Sequence, residues 1–161
     1  MTSKISLACA RLLLCLSPFS VSAQSLPQPT ISGAAHIYST SGAYQDVKSD
    51  LTDAIESRGI VISYVAHAAN MLERTADVVN ASSRAYDNAD ILLFCKADLT
   101  YNLTQSNPHN LVLCPYSISI YTLAGKPNTV HLSIRRPDLQ VAAYAAIHSL
   151  LEEIIAEALF W

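Results

Sequence analysis

Two short stretches of alternating character, joined by a turn, constrain this chain more than any other feature. In Thr129 to Arg135, apolar Val130, Leu132 and Ile134 alternate with His131, Ser133 and Arg135. In Tyr116 to Tyr121, Tyr116, Ile118 and Ile120 alternate with Ser117, Ser119 and Tyr121. Successive strand side chains point to opposite faces, so each stretch predicts a strand that is dry on one side and wet on the other. Gly125-Lys126-Pro127-Asn128 supplies the turn, which predicts an antiparallel hairpin of strands Leu111 to Tyr121 and Thr129 to Arg135. The dry side of such a sheet must be covered, and helices are the expected cover.

The remaining chain provides both strands and helices. Ile91 to Cys95 is an apolar run too short for a globular helix and reads as a buried strand. Ala34 to Thr40 and Ile60 to Ala66 are further strand candidates. Tyr44 to Arg58 predicts a helix with Val47, Leu51, Ala54 and Ile55 on one face, and Gly59 stands at its C-terminal cap. Asn70 to Val79 predicts a shorter helix with Leu72, Ala76 and Val79 inward, followed by a polar connection over Ala81 to Asn88. Asp98 to Gln105 can make about two turns before Asn107-Pro108 stops them. Asp138 is placed to cap a long last helix that turns Leu139, Ala143, Ile147, Leu150, Ile154 and Ala158 inward. Glu152, Glu153 and Glu157 oppose its dipole, so that end is expected in solvent or docked on something basic. The order β-α-β-α-β-α-β-β-α with late hairpin neighbours predicts an α+β fold. It is a single mostly antiparallel sheet with helices packed on one face.

The segment FCKADLTYNLTQSNPHNLVLCPYSISIY (Phe94 to Tyr121), with VAHAANMLERT (Val65 to Thr75), resembles the domain-of-unknown-function 302 family. The resemblance covers roughly residues 44–137. Many members carry a cysteine directly after the strand proline, whereas here Cys114 precedes Pro115 and Tyr116 follows. The family has no established activity, so the resemblance implies a fold and leaves function open.

Residues 1–23 read as a secretory signal peptide: Lys4 and Arg11 precede or enter an apolar stretch, and Val21-Ser22-Ala23 offers small residues at the cleavage position. The apolar run is shorter than the ~20 residues a membrane span needs. Residues 24–33 then form a Pro-containing extended lead-in, and 34–161 a single α+β domain. Cleavage removes two basic side chains and no acid, leaving eight basic against thirteen acidic in 138 residues, a net of −5. An exported, periplasmic or secreted, acidic domain has no electrostatic footprint for nucleic acid or an anionic membrane. No transmembrane segment is expected after cleavage. Only four glycines occur and no Gly-rich phosphate loop, which disfavours nucleotide binding. Asn80-Ala81-Ser82 and Asn102-Leu103-Thr104 match glycosylation acceptors.

Several constellations carry chemistry. Cys95 and Cys114, on neighbouring strands, form a structural disulfide, remain inert free thiols, or act as functional thiols in a thiol-dependent enzyme. Their separation of 19 closes a loop worth about 3 kcal/mol if bonded. His67 and Met71 are four apart, a usable spacing for a soft metal such as Cu(I) with Cys114 as third ligand. The bland alternative is core filling by Met71 and a local hydrogen bond by His67. Arg74, Tyr116 and Arg135 are candidate contacts for an anion or a pocket, though a surface ion pair is the commoner fate of such arginines. His131 and His148 are read as facing outward. No nucleophile–base–acid set is legible. The expected role is a small-molecule or partner-binding accessory protein without enzymatic activity, its Tyr-lined surface lying between sheet and helices. Copper handling and thiol-dependent catalysis are the rivals, and no cofactor is implied otherwise.

Overall fold

The computed structural model describes residues 27–137 and 140–160. The signal-like residues 1–23, and Asp138 and Leu139, lie outside the described residues; the last helix opens at Tyr144 with Ala143 as its N-cap, not with the expected Asp138. Six strands form one sheet: β1 (Thr30–Ser32), β2 (Ala35–Ser41), β3 (Ile62–Ala66), β4 (Tyr86–Phe94), β5 (Tyr116–Leu123) and β6 (Thr129–Arg135). Four helices accompany them: α1 (Tyr44–Glu56), α2 (Ala68–Thr75), α3 (Ala97–Ser106) and α4 (Tyr144–Leu159). The strand order is β1-β2-β6-β5-β4-β3, and every neighbouring pair is antiparallel. This is the α+β architecture expected, with β1 added within the stretch read as a lead-in.

The hairpin of β5 and β6 is central to the sheet, as the alternating patterns require. Tyr116, Ile118, Ile120, Val130, Leu132 and Ile134 are all buried. They meet Val47, Leu51 and Ile55 of α1 and Ile147, Leu151 and Ile154 of α4 in one core cluster. Each of these aliphatic side chains contributes roughly 1.5–3 kcal/mol through removal from water. Leu103 brings α3 onto the same core. Arg58 Nη1 pairs with Glu157 Oε2 across the α1–α4 contact, so the acidic end of α4 is docked on a base.

Four local expectations need correction. The chain from Pro108 to Leu113 is a 3-10 turn, and β5 begins only at Tyr116. Asn107 accepts the His109 backbone N–H to open that turn, and Pro115 has no N–H to extend the ladder backwards. Cys95 and Cys114 therefore sit just beyond strand ends rather than within strands. β4 reaches back to Tyr86, because its polar residues find partners: the side chain of Thr122 accepts from the backbone and side chain of Asn88. Finally, α2 ends at Thr75 and buries none of its residues; Leu72 is 44% and Val79 67% exposed. This helix runs beside β4.

Candidate functional site

The chain places a polar hub where α1, β4 and the start of α2 converge. Asp90 lies in β4, opposite Ile120 of β5, so its side chain points to the core side of the sheet and is only 8% exposed. A carboxylate buried there requires donors, and two helices supply three of them. Tyr44, the first residue of α1, donates its hydroxyl to Oδ2 at 2.8 Å. Lys48, one turn later, donates Nζ to the same oxygen at 2.6 Å. His67, capping α2, lies with Nδ1 2.7 Å from Oδ1. Burial alone would raise the Asp90 carboxyl, but these three hydrogen bonds and the Lys48 charge outweigh it and hold the group below the ordinary aspartate range. Burial, followed by the bond to Asp90, pushes the Tyr44 phenol well above its usual range.

An ionised carboxylate only accepts, so Nδ1 of His67 carries the proton and Nε2 is left as the acceptor in the neutral ring. The ring's far side is open, with the His67 side chain 60% exposed. It borders a cleft of about 470 Å³ lined also by Tyr64, Asn70, Met71, Arg74 and Ile91. The geometry thus presents an imidazole of fixed orientation and one guanidinium in a hollow whose lining contains no carboxylate. A second hollow of about 320 Å³, between α2 and the chain leading into β4, is lined by Ala69, Leu72, Val79 and Tyr86 with the Arg84–Asp87 ion pair at its side.

The structure brings His67, Met71 and Arg74 together at this cleft, and Met71 donates its backbone N–H to the His67 carbonyl. It does not bring Cys114 or Tyr116 there. Cys95 and Cys114 are joined in a disulfide with Cα atoms 6.4 Å apart, both partly buried. A disulfide sulfur lacks the thiolate a soft metal takes. Tyr116 is fully buried and shares a 2.7 Å hydrogen bond with Thr100. Arg135 is exposed at the end of β6, paired in register with Ala35 on the far side of the sheet. The space between sheet and helices is filled by core side chains, Tyr38 and Tyr116 among them, so among the described residues the expected Tyr-lined concavity is closed. His148 also needs correction: it is buried on α4, because that helix is enclosed on more than one side.

Asp90 itself is absent from the sequence-level candidates. Its partners stand 46, 42 and 23 residues away, separations that no local pattern reports. The one available signal was an acid opening the apolar run at Ile91, a charge at the mouth of a buried strand.

An α+β sheet with a buried carboxylate presenting a histidine to a lateral cleft is the class of protein this geometry defines. The family model described as "Domain of unknown function DUF302" matches residues 36–159, and the chain belongs to that family. Its fold is similar to the crystal structure of an uncharacterized conserved protein DUF302 from Bacillus stearothermophilus. That likeness has a TM-score of 0.58 at 12% identity, covering 80% of this chain and 98% of the other. A search of curated protein sequences found no match. Among the described residues, no helix is long and apolar enough to cross a membrane.

Proposed function

We propose that this is an exported protein that binds a small anionic molecule at the His67–Arg74 cleft. The observation that carries the reading is Asp90, a buried acid that fixes an exposed imidazole beside an arginine. Arg74 supplies the guanidinium for a carboxylate or phosphate group. Neutral His67 accepts at Nε2, so the preferred ligand carries a proton donor as well, as hydrogen phosphate or a hydroxycarboxylate does. Protonated His67 donates from the same atom and adds a charge for the anion. Tyr64 and Met71 provide apolar contact along the cleft. Export is supported by the signal-like N-terminus and by a disulfide of the kind that persists in oxidising compartments.

Binding is favoured over catalysis because His67 has no hydroxyl or thiol partner among the described residues; its only side-chain bond there is to Asp90. A thiol-dependent reaction finds no support in Cys95 and Cys114, which are bonded to each other. Copper handling retains only His67 and Met71 of its expected set. The test is NMR titration of the purified protein with inorganic phosphate and with tartrate. Shifts centred on His67, Met71 and Arg74, lost in His67→Ala, support the reading. Shifts elsewhere, or none from either probe, defeat it.

A further inference from the structure

A second histidine cluster lies at the opposite margin of the sheet from the His67 cleft and is independent of it. His36 of β2 stands two residues from Tyr38, and strand alternation turns both toward α4. His148 and Glu152 are four apart on α4 and so share one helix face. One ligand atom from each of His36, His148 and Glu152 can be chosen so that all three lie within 4.8 Å of one another. The two imidazoles meet edge to face with ring centroids 5.2 Å apart.

An independent observation concerns what these rings lack. His36 Nδ1 and His148 Nε2 are both buried, and no group among the described residues hydrogen-bonds either atom. His148 as a whole is only 8% exposed. Buried polar nitrogens normally have partners. Two such nitrogens on adjoining rings can share one partner, and a metal cation is a partner that accepts a lone pair from each. Glu152 is already oriented: Tyr38 donates its hydroxyl to Oε1 at 3.0 Å, leaving Oε2 on the side of His148, 3.4 Å from its Nδ1. Such outer contacts commonly aim a metal-binding carboxylate. The competing positive charge is Arg136, whose guanidinium is tied to the Gly33 carbonyl at 3.2 Å.

We propose that His36, His148 and Glu152 form a binding site for a divalent first-row transition metal, with Zn²⁺ the ion that best fits two imidazoles and one carboxylate. Three protein ligands of this kind are typical of zinc sites that keep a fourth position open, and oxygen-loving Ca²⁺ or Mg²⁺ would not choose imidazole. In a tetrahedral zinc site the ligand atoms stand roughly 3.4 Å apart, so loading requires a small contraction by side-chain rotation.

The experiment is titration of metal-stripped, tag-free protein with Zn²⁺ against a chromophoric chelator, repeated with Co²⁺ for its absorption bands. One equivalent should bind, with tetrahedral-type Co²⁺ bands. The near-isosteric Glu152→Gln and the variant His36→Gln should each weaken binding about tenfold or more, while His67→Ala leaves it unchanged. The unaltered protein provides a check free of folding effects. Of its five histidines, the ring ¹⁵N signals of His36 and His148 should move on zinc addition. Absence of binding, binding that both variants retain, or shifts confined to His67, His109 and His131 would overturn the proposal.

Discussion

Oδ1 of Asp90 lies 2.7 Å from Nδ1 of His67, so a nearly buried acid in the sheet sets the direction of an exposed ring at the sheet's edge. The remaining Asp90 oxygen is held by Tyr44 and Lys48 of α1. The hub therefore has two duties, joining α1 to β4 and aiming His67 into the cleft.

Replacing Asp90 should disturb both duties. Asp90→Asn leaves Lys48 without its counter-charge and is expected to destabilise the fold by about 2 kcal/mol, the scale for a partly buried, hydrogen-bonded ion pair. Urea denaturation monitored by circular dichroism measures it. A change within about 0.5 kcal/mol, the scatter of neutral surface substitutions, would show that the hub is not structural.

The pH dependence follows from the same group. The carboxyl of Asp90 is depressed in the folded state, so the folded chain binds its proton less readily than the unfolded chain. Its contribution to stability is complete above the unfolded value near about 4 and is lost as pH falls through the lower folded value. The stability gap between the native protein and Asp90→Asn should be constant above roughly pH 5 and shrink below pH 4. A gap that widens on acidification would reverse the sign of the argument.

The Cys95–Cys114 bond closes a loop of 19 residues around α3 and the 3-10 turn. Cys95→Ser with Cys114→Ser is predicted to lower stability by about 3 kcal/mol through the unfolded state. Urea denaturation of the double variant beside the oxidised protein checks this, and equal midpoints would contradict it.

Legibility in the sequence depended on whether a residue's partners were local. The β5–β6 hairpin was legible because alternation is a property of the strand itself, and α1 because Val47, Leu51, Ala54 and Ile55 recur at helical spacing. The inward face assigned to Leu72 and Val79 failed for a different reason: spacing shows which residues share a face, not whether anything covers it. His148 was misread because α4 also buries Leu151, Ile155 and Ala156, so polar character on that helix no longer marks the outside. Asp90, Tyr44, Lys48 and His67 form a site only through tertiary contact, beyond the reach of any motif.

That contrast makes a pair of substitutions informative. Ile147→Ala, in the fully buried part of α4, should lose about 2–5 kcal/mol, whereas Leu72→Ala on α2 should stay within about 0.5 kcal/mol. Comparable losses at both positions would place α2 in the core and contradict the architecture described above.

The most direct measurement is the ring ¹⁵N spectrum of His67, followed to alkaline pH until the ring is neutral. The account predicts a proton on Nδ1, a bare Nε2, and loss of that preference in Asp90→Asn. A ring protonated at Nε2 in the native protein, unaffected by the Asp90 change, would contradict it.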